Sequence, residues 1–192
     1  MSNIKTDITK NNLLDDSDDD IIYSDDMEND IYSTESIANK YGKEFTPRDF
    51  FTAKELCYYT MADIYFKTKC SKDNIELMIK IIESNHDISL RILDWFVSKF
   101  SKYRNKINFN INDEEEFDIR ISYDAQLKTY RKKNFDPFRR KKKFYYFYDD
   151  ENKSSKIFTT IGQLNFFKWV ITTKILDFVK DKINEINDEM KK

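Results

Sequence analysis

Phe144-Tyr-Tyr-Phe-Tyr-Asp-Asp-Glu-Asn-Lys-Ser-Ser-Lys-Ile-Phe-Thr-Thr-Ile-Gly-Gln-Leu-Asn-Phe-Phe-Lys-Trp-Val-Ile-Thr172 changes its structural period part-way along. The aromatic run Phe144 to Tyr148 suits a pleated strand. Asp149 to Ser155 are polar turn formers, and Lys156 to Thr160 read as a returning strand. Thr160 and Gln163 then stand at capping-box spacing ahead of an apolar helix from Ile161 to Thr172. A hairpin that runs straight into a helix predicts an α+β fold.

Upstream, the period is helical. Leu56, Tyr59, Met61, Ile64, Tyr65 and Thr68 predict a helix over 52–69 with no Gly or Pro inside it. Asp73 and Glu76 have capping-box-like spacing, and Ile75, Met78, Ile79 and Ile82 form one face of a second helix. Asn85-His86-Asp87 interrupts before a third, from Ile88 to Tyr103, with Ile92, Leu93, Phe96, Val97, Phe100 and Tyr103 as its stripe. Short links between three helices imply an antiparallel bundle. Beyond Arg104, Ile107, Phe109 and Ile111 alternate, as do Phe117, Ile119 and Ile121 across an acidic turn, which predicts a hairpin over 106–122. A short helix from Tyr123 to Lys133 and an Asp136-Pro137 turn follow. Downstream, Val179, Ile183, Ile186 and Met190 predict one last helix over 175–190. The expected architecture is an N-terminal helical bundle, a small antiparallel sheet of two hairpins and C-terminal helices, preceded by a disordered acidic tail.

The chain has 192 residues, with 33 Lys plus Arg against 35 Asp plus Glu, so its formal charge is only -2. That total conceals two opposed regions. Residues 1–35 hold Asp7, Asp15, Asp16, Asp18, Asp19, Asp20, Asp25, Asp26, Glu28, Asp30 and Glu35 against Lys5 and Lys10. Low hydrophobicity and high charge over 1–46 predict a disordered tail, leaving 47–192 as a single domain. Residues 128–143 hold the opposite charge: Lys128, Arg131, Lys132, Lys133, Arg139, Arg140, Lys141, Lys142 and Lys143 against Asp136 alone. Two Gly and one His exclude glycine-rich phosphate loops and a zinc site of several His. Cys57 and Cys70 fit neither a zinc pattern nor a disulfide framework, and suggest core thiols in a reducing compartment. No apolar run approaches a membrane span and no signal peptide is legible, so a soluble intracellular protein is expected.

The basic segment carries the functional reading. Lys and Arg meet phosphates, and aromatic faces such as Tyr145 stack on unpaired bases, so these nine basic residues together with Tyr145 form a candidate site for RNA or single-stranded DNA. The bland alternative is a solvated rim in which Phe135, Phe138, Phe144 and Phe147 are simply core. An acidic protein partner, or the chain's own tail, would satisfy the same charges. A nuclease reading rests on Asp136, Asp149 and Glu151-Asn152-Lys153, which loosely resemble a magnesium-holding carboxylate and Glu-x-Lys set. Its Glu-x-Lys piece falls in a turn. The run Asp113 to Glu116 lacks the spaced oxygens and glycine of a calcium loop. His86 has no catalytic companion, and Trp95 and Trp169 read as core anchors. No catalytic constellation and no cofactor site emerges.

Three blocks are distinctive: Ile88-Ser-Leu-Arg-Ile-Leu-Asp-Trp-Phe-Val97, Ser122-Tyr-Asp-Ala-Gln-Leu-Lys-Thr-Tyr-Arg-Lys-Lys-Asn-Phe-Asp-Pro-Phe-Arg-Arg140 and Thr159-Thr-Ile-Gly-Gln-Leu-Asn-Phe-Phe-Lys-Trp169. Together they resemble a family of uncharacterised proteins shared among nucleocytoplasmic large DNA viruses, including the giant viruses of amoebae, over about residues 70–190. The resemblance implies a viral origin and a place in the infected cell's viral factory or the virion; it brings no catalytic residues. Similar proteins often carry a cysteine where this chain has Arg139. Gly162, Asn165 and Gln126 either are hydrogen-bonded core groups fixing the Asp136-Pro137 turn or line a groove with the arginines, and burial decides between the two. The leading expectation is a non-enzymatic nucleic-acid-associated module of viral genome handling or expression. A virion or assembly protein docking an acidic protein comes second, a metal-dependent nuclease third. Oligomeric state is not legible.

Overall fold

The computed structural model describes residues 46–100, 117–152 and 154–192. The acidic tail up to residue 45 and the expected strand Ile107–Ile111 with its acidic turn lie outside them. The described residues form an α+β fold of eight α-helices and one two-stranded antiparallel sheet.

Side-chain caps set most of the helix starts. α1 (Pro47–Phe50) is a single turn opening on proline, whose missing N–H costs nothing there. α2 (Ala53–Thr68) begins with a reciprocal capping box: Thr52 Oγ1 accepts the Glu55 N–H at 3.3 Å, and Glu55 accepts the Thr52 N–H at 3.0 Å. α3 (Lys72–Ile82) is capped by Ser71, not by Asp73, because the serine hydroxyl accepts the Asn74 N–H. α4 (Leu90–Trp95) is capped by Ser89 and widens into a π-helical turn, Phe96–Phe100, which keeps Phe96, Val97 and Phe100 buried.

The hairpin expected over 106–122 needs correction. Its returning arm is the start of a helix, α5 (Ile119–Tyr130). Asp118 Oδ1 accepts the Ile121 N–H at 2.8 Å, so the aspartate nucleates a turn where the alternation suggested a strand. Ile119, Tyr123 and Tyr130 face the core at helical spacing, while Ile121 stands 70% exposed. The described sheet is therefore one hairpin, β1 (Phe144–Phe147) with β2 (Lys156–Thr159), in the register Phe144↔Thr159, Tyr145↔Phe158, Tyr146↔Ile157 and Phe147↔Lys156.

α6 (Ile161–Thr172) has the bounds its sequence predicts. Thr160 Oγ1 accepts the Gln163 N–H at 3.1 Å, but the Gln163 side chain turns to accept the Thr159 hydroxyl, so the box closes on one side only. Ten of the twelve residues of α6 are buried, as a helix at the centre of a fold requires. α2 packs along it, and Trp169 reaches across to donate from Nε1 to Ser122 Oγ of α5 at 3.0 Å. The single helix expected over 175–190 is two, α7 (Ile175–Asp181) and α8 (Ile183–Met190). They break at Lys182 without Gly or Pro, although Val179 and Ile186 still reach the core. Cys57 is exposed on α2 and Cys70 half-buried, so neither is a fully buried core thiol. His86 Nδ1 accepts the Ile88 N–H, a local capping role. No helix among the described residues is long and apolar enough to cross a membrane.

Candidate nucleic-acid interface

The basic segment is built around a buried turn. After α5, Lys132–Asn134 form a 3₁₀ turn, and Phe135, Pro137 and Asn134 are buried. Phe135 is fully enclosed, with ring centroids of Tyr130 at 5.6 Å, Trp169 at 5.7 Å, Phe166 at 5.8 Å and Tyr123 at 6.0 Å. Asp136 closes the turn by accepting the Phe138 N–H on Oδ1 at 2.8 Å. Buried amides secure it from beneath: Asn165 Nδ2 donates to the Asn134 carbonyl at 2.9 Å, and Asn134 Nδ2 to the Tyr130 carbonyl at 3.1 Å. At Gly162, a Cβ would lie 2.5 Å from the Asp136 carbonyl oxygen, so the first turn of α6 accepts the loop only because that position has no side chain. Burial thus assigns Gly162 and Asn165 to holding the turn, while Gln126 is half-buried.

Cations project from both arms of this anchored loop. The Asp136 N–H donates to the Lys132 carbonyl at 2.9 Å, and the Arg139 N–H to the Asp136 carbonyl at 3.3 Å, so both arms converge on one residue. Lys128, Arg131, Lys132, Lys133 and Arg140 are exposed and Arg139 half-exposed, and none of the six makes an ion pair among the described residues. Lys141 is exposed as well. Arg131 holds φ 60 and ψ 147, a region natural to glycine and costing other residues about 1–3 kcal/mol. Lys142, at φ 63, is otherwise engaged: its ammonium pairs with Glu55 and lies 5.5 Å from the Phe50 ring centroid. Burial tends to raise the Glu55 pKa, yet Lys142 and the Thr52 N–H hold it below its ordinary value. Lys143 and Tyr145 belong to the hairpin's outer face. The predicted bases therefore divide into a loop group, a structural tie at Lys142 and a sheet group.

The aromatics divide too. Phe135 and Phe144 are core, whereas Phe138 is 47% and Phe147 38% exposed. Beneath the sheet, Lys67 Nζ lies 3.1 Å from Asp63 Oδ1 and 2.6 Å from Asp150 Oδ1, tying the hairpin loop to α2. Burial, then the Asp63 charge, push the Tyr59 hydroxyl up to about 12.

Asp94 of α4 faces the loop. Burial, then the Asp136 carboxylate, raise its pKa, against the lowering effects of Lys132, a hydrogen bond from Tyr123 and Lys99. The folded state therefore binds more protons than the unfolded chain between the ordinary carboxylate value and the raised one, and stability falls as pH rises through that window. Asp94→Asn is expected to be more stable than wild type at neutral pH and to lose that advantage below about pH 3.9. Urea melts of both proteins at the two pH values check this; an equal difference at both would refute it.

Asp136 and Asp149, the acids of the nuclease reading, each accept the backbone N–H two residues on. Lys153 lies outside the described residues. Among the described residues no three His, Cys, Asp or Glu are grouped to hold a metal ion. Residues the sequence reading left out are Phe158 and Lys156, which the register sets opposite Tyr145 and Phe147. Strand alternation was their only signal.

A family model described as a family of unknown function (DUF7197) matches residues 48–192. The uncharacterized protein L507 of Acanthamoeba polyphaga mimivirus is 36% identical over 176 residues, covering 89% of this chain. The chain spans 62% of that relative's length. No solved structure matches. The match takes in the helices, the anchored turn and the hairpin together, and the chain belongs to this family of unknown function, which is found in giant viruses.

Proposed function

We propose that this protein is a non-enzymatic module that binds RNA or single-stranded DNA during viral genome handling or expression, with the acidic tail, residues 1–46, competing for the same cations. One observation carries the reading: six cations without an ion pair among the described residues flank a turn whose backbone is locked into the core. Cations on a fixed loop meet phosphates without first ordering the chain, which favours association. Its place is then the viral factory or the virion.

Titration of the full chain against labelled single-stranded RNA and DNA over a salt series tests it. Six phosphate contacts correspond to a slope of about -4 in log affinity against log salt, at about 0.7 per contact. Replacing Arg139 and Arg140 by alanine is expected to flatten that slope by roughly 1.4. A variant with Asp15, Asp16, Asp18, Asp19 and Asp20 changed to asparagine should bind more tightly than wild type. Absence of binding at low salt by both wild type and that variant would sink the reading. The exposed Phe138 ring beside Arg139 and Arg140 favours the second reading, an assembly protein docking an acidic protein. Enrichment in virions without nucleic-acid binding would support it.

A further inference from the structure

The hairpin has one face in the core and one in water. Phe144, Tyr146, Ile157 and Thr159 are buried, so strand alternation turns Tyr145, Phe147, Lys156 and Phe158 outward. The Tyr145 and Phe158 rings pair across the strands with centroids 5.0 Å apart. Lys156 Nζ lies 4.9 Å from the Tyr145 centroid, and Lys143 Nζ 5.3 Å from that of Phe158. Phe147, opposite Lys156, is open to solvent. The water-facing side of an antiparallel sheet is ordinarily polar, so three outward aromatics need an explanation beyond folding.

We propose that this outer face is a stacking platform for unpaired bases of a single-stranded nucleic acid. Phe147, Tyr145 and Phe158 offer ring faces to bases, and Lys143 and Lys156 swing from the rings to the flanking phosphates. The composition of the face selects this ligand over an apolar peptide. Every ring has a lysine over it or directly opposite, and none of the five outward residues is acidic. The proposal rests on the nucleic-acid reading above and deepens it. The loop cations meet phosphates of any strand, whereas a duplex keeps its bases stacked inside and offers the platform nothing to stack on.

The test compares a labelled single strand with a duplex of the same length, both titrated against the full-length chain at one moderate salt concentration. Wild type is expected to prefer the single strand. Phe147→Leu combined with Phe158→Leu keeps apolar bulk and removes the aromatic faces; it should weaken single-strand binding about ten-fold and leave duplex binding and the salt slope unchanged. Phe147→Trp, at an exposed position, should retain affinity and report the single strand by quenched fluorescence. Equal single-strand and duplex affinity in wild type, or an equal loss of both in the leucine variant, would overturn the platform while leaving the loop cations as the binding site. No binding of either nucleic acid at low salt, by wild type or by the variant with the tail aspartates changed to asparagine, would overturn both readings.

Discussion

Phe135→Ala is expected to remove about 3–5 kcal/mol of folding stability. Its ring is wholly enclosed by Tyr123, Tyr130, Phe166 and Trp169, drawn from α5 and α6, and those elements are too constrained by their own packing to close over the space left behind. Domains of this kind have a total stability of about 5–15 kcal/mol, so the loss is a large share of it. The melting temperature should fall by roughly 6–20 °C. A thermal melt followed by far-ultraviolet circular dichroism measures it. A shift of only a degree or two would mean that the ring is not the anchor of the basic loop. Phe138, three residues on, serves as the internal comparison: the same residue type, half exposed, should tolerate alanine with little change.

Gly162→Ala should cost about 1–3 kcal/mol through overpacking, toward the upper end of that range. The new methyl group would meet the Asp136 carbonyl oxygen at 2.5 Å, and backbone atoms of a hydrogen-bonded turn cannot rotate away as a side chain can. The loop must lift off α6, or α6 must shift away from the loop. Lifting the loop would strain the Asn165 to Asn134 hydrogen bond, whose loss leaves a buried carbonyl unsatisfied. Since Phe135 and Gly162 hold the same turn, the double variant Phe135→Ala, Gly162→Ala should lose less than the sum of the single losses. Urea melts of the four proteins give the coupling directly. Strict additivity would show that the two residues act on separate parts of the fold.

The hairpin and α6 were legible because each residue there satisfies its own local rule: aromatics in the strands, polar residues between them, a threonine cap and then an unbroken apolar helix. The start of α5 was not. Phe117, Ile119 and Ile121 fit a strand and a helix equally well over five residues, and the decision fell to Asp118, whose carboxylate captures a backbone N–H. Lys182 ends α7 with no breaker residue to announce it. In the candidate interface, the segment was found by its charge, but charge alone could not separate Lys142, committed to Glu55, from Arg139 and Arg140, which make no ion pair among the described residues. Phe135 and Phe138 look alike in a chain with 16 phenylalanines, and only tertiary placement makes one an anchor and the other a surface ring. Phe158 and Lys156 needed the strand register, which is set by how the intervening polar turn is wound.

Arg131 and Lys142 stand near the two ends of the basic loop, and both occupy backbone conformations that glycine would adopt more comfortably. A glycine at either corner would ease the bend and cost a cation. At Arg131 no ion pair among the described residues stands to be lost, so the exchange there is between strain and charge alone. At Arg131 the loop thus gives up some thermostability to keep its positive potential, and a search for hardier versions of this protein would find a gain there that weakens its attraction for anions.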